Sequence, residues 1–201
     1  ANPHDLQNME SIPLNHPISV TVPGAVAGWL ELSKKYGNLK IEEILDLGIE
    51  LCHEGFEINE ELYNSLNLHK EELSGQASGY GFYRDNQPFE TGKMIRRPQL
   101  GKTLELLKRN GLEYFYDSDI TKSISSSVNG ILSFDDLKNF KAEWKKPLHS
   151  KIYGFDGWTS PPSTQGYLTL STLKAIEMLG AEHNDIHRVI ETYLSLIHIS
   201  E

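Results

Sequence analysis

Apolar residues recur at regular spacing along most of the chain, and this spacing predicts its secondary structure. The β-branched run 19–22 favours an extended strand, which Pro23 ends because proline has no N–H to donate. The next segment begins with small residues and has helical spacing, which predicts a helix ending at Tyr36. Over 40–53 the apolar residues fall along one broad face, and this predicts a second helix that Gly55 ends.

The middle of the chain has the pattern of short helices with clear start and stop residues. Asn59 is a suitable N-cap, because its side-chain oxygen can accept a hydrogen bond from a free backbone N–H. The spacing over 99–110 predicts a helix with Leu100 on its inward side and Gly111 as its stop. Another helical zone is predicted over 112–128.

The segment 73–91 alternates glycine with aromatic residues and is predicted to be a loop with a short strand at 81–84. It is either a ligand lid or an ordered surface loop. Further on, Ser133 and Asp136 form a variant of the capping box, which predicts a short helix over 135–140.

The last third of the chain predicts a strand pair followed by two helices. Aromatic and β-branched residues over 144–158 are interrupted by glycines, which is typical of a hairpin. A Pro-Pro turn over 160–167 leads into a helix up to Gly180, and a last helix begins near Asn184. Its predicted inward residues are Ile186, Val189 and Ile190. Helices with a minority of strands predict an α+β fold class.

Composition narrows the function classes. The 201 residues carry a net charge of −9, a pI of about 5.4 and a mean hydropathy of −0.42. No basic stripe is present, so nucleic acids and anionic membranes are not expected partners. No apolar run reaches the roughly 20 residues that span a bilayer. No dinucleotide or phosphate-loop fingerprint occurs, and we expect no cofactor.

Few residues suggest metal or thiol chemistry. Cys52 is the only cysteine and is expected to be a buried structural thiol on a helix. A Cys52–His53 nucleophile pair is not expected, since neighbours in a helix do not face each other. His183 and His187 have the spacing of a zinc pair but lack a third ligand in register. We therefore predict no metal site.

Three other features carry alternative interpretations. Arg96 and Arg97 are either a carboxylate clamp or solvated charges. Ser163 and Thr164 at a helix start are possible nucleophile or oxyanion donors, although the pattern alone is weak. The turn over 23–28 is either a tight packing joint or an anion site formed by free N–H groups. Gly28 within that helix suggests close approach of another backbone, because glycine there costs about 1 kcal/mol relative to alanine.

An ordered series of segments resembles the large subunit of the γ-glutamyltranspeptidases, which are N-terminal-nucleophile hydrolases. The resemblance covers the chain from about Asn2 to about Thr192. The matching segments are Val22–Trp29, Lys35–Gly37, Glu54–Phe56, Asn110–Tyr116, Gly130–Leu137, Trp144–Leu148, Tyr153–Gly154 and Ser160–Tyr167. Each is weak alone, but together, in the right order, they identify the family.

The resemblance implies a fold and a reaction. The fold is a helix-rich part of an αββα sandwich, and the enzyme is made as a precursor that cuts itself. A new N-terminal threonine of the small subunit then attacks a γ-glutamyl amide such as glutathione and passes the acyl group to water or an amino acid. The implied partners are that small subunit and the γ-glutamyl substrate.

The same resemblance places the catalytic groups outside the chain. The carboxylate-binding arginine is expected before Ala1 and the threonine well past Glu201, so no catalytic residue is assigned here, and Arg84, Arg96 and Arg97 are not substitutes. We expect 1–193 to be a partial large-subunit domain that is marginally stable or aggregation-prone alone. The tail 194–201 resembles translated sequencing-adapter DNA and is expected to be an artefact.

Alternatives remain within and outside this superfamily. A cephalosporin acylase or an oxamate amidohydrolase shares the scaffold, and a non-catalytic homologue keeps the fold without the nucleophile. By resemblance the location is periplasmic or extracellular, with a cytoplasmic one also open.

Overall fold

The computed structural model describes residues 11–13, 16–76, 79–180 and 185–200, with side chains up to residue 195. The chain divides into two compact units, residues 1–142 and 143–201, and each is described by itself. Within the described residues, no helix combines the length and the apolar character needed to cross a membrane.

The first unit consists mainly of helices. They are α1 (Ala25–Tyr36), α2 (Ile41–Glu54), α3 (Glu60–Leu68), α4 (Lys70–Leu73), α5 (Pro98–Asn110), α6 (Asp119–Ser127) and α7 (Phe134–Lys138), with 3-10 turns at Pro17–Ser19 and Leu112–Tyr116. Its strands are β1 (Phe56–Glu57), β2 (Tyr83–Arg84), β3 (Gln87–Pro88) and β4 (Met94–Ile95). β1 pairs with β4, and β2 with β3, both antiparallel.

Two apolar clusters hold the first unit together. In the larger one, α1, α2 and α5 pack with the 3-10 turn, and its buried residues are Val26, Ala27, Leu45, Leu107, Leu112 and Tyr116. The contact between α2 and α5 is close at Gly101, where an added Cβ would lie 2.8 Å from Nε2 of His53. The smaller cluster contains Ile58, Leu66 and Ile95 under the β2–β3 hairpin.

The predicted start and stop residues of these helices are confirmed. Oδ1 of Asn59 accepts the N–H of Leu62 at 2.8 Å, which caps α3. Ser133 and Asp136 form both hydrogen bonds of the capping box, at 2.9 and 3.0 Å. Gly111 ends α5 with φ of 87°, a left-handed value that suits glycine.

The second unit contains the predicted hairpin and two helices after it. It contains β5 (Leu148–Ile152), β6 (Phe155–Thr159), α8 (Gly166–Met178) and α9 (Ile186–Ser200). The two strands are antiparallel and meet in a two-residue turn, where Tyr153 and Gly154 both have positive φ. This hairpin and the helical majority confirm the α+β class.

Some predictions at the level of single elements are wrong. The predicted strand over 19–22 is absent; a 3-10 turn covers Pro17–Ser19, and Val20 is extended but has no strand partner within the described part of the chain. The helix predicted over 135–140 is α7, which is shorter and begins one residue earlier. Leu100 is 48% exposed rather than inward, because α5 turns Gly101 toward α2.

The inward face predicted for the last helix is also wrong in part. Ile186 and Ile190 of α9 are 67% and 50% exposed, whereas Thr192 is buried. Helical spacing identified an apolar stripe, but packing on α8 uses a different part of the helix surface. The predicted start near Asn184 lies outside the described residues.

Candidate functional site

The first candidate region is the turn that leads into α1. Gly24 is the N-cap of α1 and offers no side chain to cap its free N–H groups. The hydroxyl of Tyr116 takes this role from far along the chain: it accepts the N–H of Ala27 at 3.1 Å and donates to the carbonyl of Pro23 at 2.6 Å. One tyrosine therefore fixes both sides of the turn.

Position 24 has little room for a side chain because an aromatic ring lies against it. An added Cβ at Gly24 would be 3.1 Å from Cζ of Phe140, and the Phe140 ring also packs on Tyr116 at 5.8 Å between centroids. Burial raises the pKa of Tyr116, while the hydrogen bond from Ala27 acts in the opposite direction. The turn is thus a tight packing joint, and one of the N–H groups proposed for an anion is already occupied.

Gly28 does not have the close neighbour predicted for it. An added Cβ at this position would meet no atom of the described residues within 4 Å. Among the described residues, the close approach of another backbone that was predicted at Gly28 is therefore not found. No contact among the described residues offsets its helix-propensity cost of about 1 kcal/mol.

A cleft of about 440 Å³ lies beside the joint, and charges of both signs surround its apolar floor. Lys34 Nζ lies 3.3 Å from a carboxylate oxygen of Glu113, and Lys138 Nζ lies 3.0 Å from one of Asp117. These pairs neutralise much of the rim, so the cleft has no strong preference for an anion or a cation. No group of three metal-ligating side chains occurs anywhere in the part of the chain that the structure describes.

The second candidate region is the Pro-Pro turn before α8. The Thr164 hydroxyl donates to the carbonyls of Ser160 and Pro161, at 3.1 and 3.2 Å, so its hydrogen bonds stabilise the turn. Gly166 opens the helix against Thr159, where an added Cβ would lie 1.7 Å from Oγ1. The region is another packing joint, and the Thr164 hydroxyl is engaged by the backbone of the turn.

Side-chain contacts tie the hairpin of the second unit to α8. Glu177 accepts the backbone N–H of Tyr153 at 2.6 Å and pairs with Lys174 at 2.5 Å. Lys174 also donates to the carbonyl of Lys151. The Lys174 ammonium first, and the Tyr153 N–H next, hold the pKa of Glu177 below its ordinary value.

The thiol prediction is confirmed. Cys52 is buried and free, while the imidazole of His53 bonds to Glu105 at 2.9 Å, so the two do not form a nucleophile pair. His187 is exposed on α9, and His183 lies outside the described residues.

The arginines do not converge on one point. Arg84 lies over Phe89, and Arg97 lies over Phe82 at 4.6 Å from the ring centroid, while Arg96 is exposed. Nη1 of Arg97 is buried and has no hydrogen-bond partner within the described residues. The two adjacent arginines therefore do not act as a bidentate clamp in this structure.

Sequence reasoning missed Tyr116, which holds the turn before α1, and Glu177, which ties the β5–β6 hairpin to α8. A tyrosine among apolar residues is a weak hint of a buried hydroxyl bond. The hydrogen-bond partners of Tyr116 are 89 and 93 positions away, and nothing in a single sequence identifies them.

Comparison with known proteins gives consistent matches. A family model described as gamma-glutamyltranspeptidase matches residues 3–198. The capsule biosynthesis protein CapD proenzyme of Bacillus anthracis is 29% identical over 184 residues, which are 90% of this chain and 33% of that protein. A glutathione hydrolase proenzyme of Bacillus subtilis is 26% identical, over 90% of this chain and 32% of that protein. The chain thus spans about a third of the length of these curated relatives.

Solved structures agree with these matches. The CapD transpeptidase crystal structure superposes with a TM-score of 0.77 at 27% identity, covering 88% of this chain and 63% of that chain. A cephalosporin acylase from Bacillus halodurans gives a TM-score of 0.82 at 25% identity, covering 95% of this chain and 38% of that one. The superpositions confirm the α+β class as that of N-terminal-nucleophile hydrolases.

Proposed function

Because the chain belongs to the γ-glutamyltranspeptidase family, we propose that it is the large-subunit region of a precursor that cleaves γ-glutamyl amides. The observation that carries the proposal is the family match over residues 3–198, with relatives named glutathione hydrolase proenzyme. The substrate class is glutathione-like, and the acyl acceptor is water or an amino acid.

In the proposed reaction the nucleophile comes from another part of the precursor. Self-cleavage exposes an N-terminal threonine, whose α-amino group serves as base while its hydroxyl attacks the γ-glutamyl carbonyl. The C–N bond of the amide breaks, and the amine leaves with the proton that the α-amino group took from the hydroxyl. Water or an amino acid then attacks the γ-glutamyl ester, takes the acyl group and frees the threonine. No residue of this chain is given a catalytic role, and its contribution is the scaffold that the small subunit packs against.

Chain lengths among the relatives support a division into two subunits. The present chain covers 33% of the CapD proenzyme but 63% of the crystallised CapD chain. The crystallised chain is therefore about half as long as the proenzyme. A precursor cut into two parts of similar size accounts for this difference.

The test is an assay of the full-length protein that contains this chain. We expect two bands on a denaturing gel and hydrolysis of a γ-glutamyl anilide. Alanine in place of the new N-terminal threonine, the matched control, should abolish both. An uncleaved protein that hydrolyses no amide would instead support the non-catalytic homologue.

A second candidate, an amide acylase, is favoured by the TM-score of 0.82 to the cephalosporin acylase. The same assay with a cephalosporin-type amide separates the two. Cleavage of that amide, with no activity on the anilide, would replace the γ-glutamyl proposal.

We also propose that residues 1–193 belong to one partial large-subunit domain, which contains the first compact unit and most of the second. We propose further that residues 194–201 do not belong to the natural protein, although the family match runs to residue 198. Sequencing of the gene from the codon of Ile190 onward tests the second point. A reading frame that leaves the present sequence near Leu194 supports it, and an unchanged frame through Glu201 overturns it.

A further inference from the structure

The sequence contains two Asn-Gly dipeptides, Asn110–Gly111 and Asn129–Gly130. In such a dipeptide the backbone nitrogen of the glycine can attack the amide carbon Cγ of the asparagine, because glycine has no side chain to shield that nitrogen. The attack requires an asparagine side chain that is free to turn and a backbone that can bring the nitrogen to Cγ. The surroundings of the two dipeptides differ in these respects.

At the first dipeptide, the asparagine side chain is held in place. Asn110 is the last residue of α5, and its Nδ2 donates to the carbonyl of Leu106 at 2.9 Å. The same helical turn contains Leu107, which is buried in the larger apolar cluster. Moving the amide of Asn110 toward Gly111 would break this hydrogen bond and distort a helix end that is anchored in the core.

At the second dipeptide, the asparagine side chain is free to turn. Asn129 and Gly130 are both exposed and have left-handed φ values of 54° and 74°. Among the described residues, the side chain of Asn129 makes no hydrogen bond or ion pair. A Cβ added at Gly130 would meet no described atom within 4 Å, so the turn has room to rearrange.

The attacking nitrogen at this second site is held by one hydrogen bond at a weak helix end. The N–H of Gly130 donates to the carbonyl of Ser125 at 2.8 Å. That carbonyl belongs to the last turn of α6, a helix of nine residues that ends in three serines. Serine is a poorer helix former than alanine, and the ends of short helices open locally. Opening of this turn frees the nitrogen, while the buried Thr121 keeps the start of α6 in place.

We propose that Asn129 is a site of spontaneous deamidation in this protein. The backbone nitrogen of Gly130 forms a bond to Cγ of Asn129, the bond from Cγ to Nδ2 breaks, and ammonia leaves with the proton of the backbone N–H. The product is a succinimide ring. Water then opens the ring at either of its carbonyl groups and gives aspartate or isoaspartate.

Deamidation would change the connection between α6 and α7. A neutral side chain becomes a carboxylate just beyond the C-terminus of α6, where the helix dipole disfavours negative charge. Isoaspartate also lengthens the backbone of this connection, because the chain then runs through the former side chain. The inference is independent of the proposed function, since it requires only the turn and water.

Incubation of the full-length protein at mildly alkaline pH tests the proposal. Peptide mass spectrometry measures the fraction of each asparagine that is converted to the acid. In the folded protein, Asn129 should convert about tenfold faster than Asn110, because only Asn129 is released by local opening of a helix end. The same protein in urea is the matched control: both dipeptides are then unfolded and should convert at similar rates.

A variant tests the role of the last turn of α6. Ser126 is exposed, and Ser126→Ala favours the helix without removing a described side-chain contact. This variant should slow the conversion of Asn129 by about twofold, since the turn opens less often. The rate at Asn110 should not change.

Two outcomes would overturn the proposal. One is an Asn129 that stays unconverted in the folded protein while both dipeptides convert in urea. The other is an Asn110 that converts at least as fast as Asn129 in the folded protein. Conversion of Asn129 at the same rate with and without Ser126→Ala would overturn the release of Gly130 by opening of the last turn of α6.

Discussion

The turns before α1 and α8 have similar sequences but are held by different kinds of contact. Each leads through proline and small residues into a helix that lacks a side-chain cap. Before α1, the turn is held by Tyr116, 93 positions from its acceptor at Pro23. Before α8, Gly166 packs on Thr159 of the strand just before the turn. Small residues thus serve a distant aromatic contact in one case and a local strand in the other.

The largest effect is expected at the local turn. Gly166→Ala places a methyl group 1.7 Å from Oγ1 of Thr159. Such overpacking against a neighbouring strand should lower the free energy of unfolding by about 3 kcal/mol. Urea unfolding of the full-length protein, followed by tryptophan fluorescence, measures it.

The second-site control for this prediction is Thr159→Ala, which removes the clashing hydroxyl. In the Gly166→Ala background it should restore part of the lost stability. An unchanged unfolding curve for Gly166→Ala alone would show that β6 can move to accept the methyl group. The packing of Gly166 on Thr159 would then not stabilise the turn before α8.

At the distant turn the expected effect is somewhat smaller. Tyr116→Phe leaves the carbonyl of Pro23 and the N–H of Ala27 without their partner, which should cost about 2 kcal/mol. Tyr114→Phe in the same 3-10 turn is the matched control and should change little. Equal losses in the two variants would contradict the capping role of Tyr116.

Two glycines of the α1 region should respond in opposite directions. In the 201-residue chain, Gly28→Ala should raise the free energy of unfolding by about 0.5–1 kcal/mol, since the added methyl meets nothing and favours the helix. Gly24→Ala should lower it, because its Cβ would press on Phe140. Thermal unfolding of both variants measures the pair, and a loss in Gly28→Ala would reveal a contact that the structure does not contain.

The smallest effect concerns pH. The pKa of Glu177 is lowered by Lys174 and by the N–H of Tyr153 from an ordinary value of 4.5. Its ionised form therefore stabilises the fold above that pH, and the contribution disappears as pH falls through the lowered pKa. Unfolding of the parent and Glu177→Gln chains from pH 7 to pH 3 should show a difference that shrinks in the acid range. A constant difference would mean that the ion pair between Glu177 and Lys174 contributes nothing to the free energy of unfolding.

Sequence reasoning succeeded where the determining contacts are local. The cap at Asn59, the capping box at Ser133 and the stop at Gly111 depend on residues a few positions apart. It failed for the strand over 19–22, because β-branched residues make a strand only when a partner strand is available.

Predictions about which side chains are in contact were less successful than predictions of where helices start and stop. Helical spacing identified the apolar stripe of α9 but not which part of it packs, so the expected burial of Ile186 and Ile190 was wrong. The close backbone neighbour predicted for Gly28 is not found among the described residues. The role of Tyr116 depends on a contact 93 positions away, which only the folded structure reveals.

That separation also has a consequence during synthesis. The turn before α1 cannot close until Tyr116 has left the ribosome. At the usual rate of translation, the 93 intervening positions take roughly 5 to 20 s. During that interval the side of α1 that carries Val26 and Ala27 lacks its contact with Tyr116 in the nascent chain. A holdase chaperone that binds apolar helices therefore has its best opportunity to bind the chain between the emergence of Trp29 and that of Tyr116.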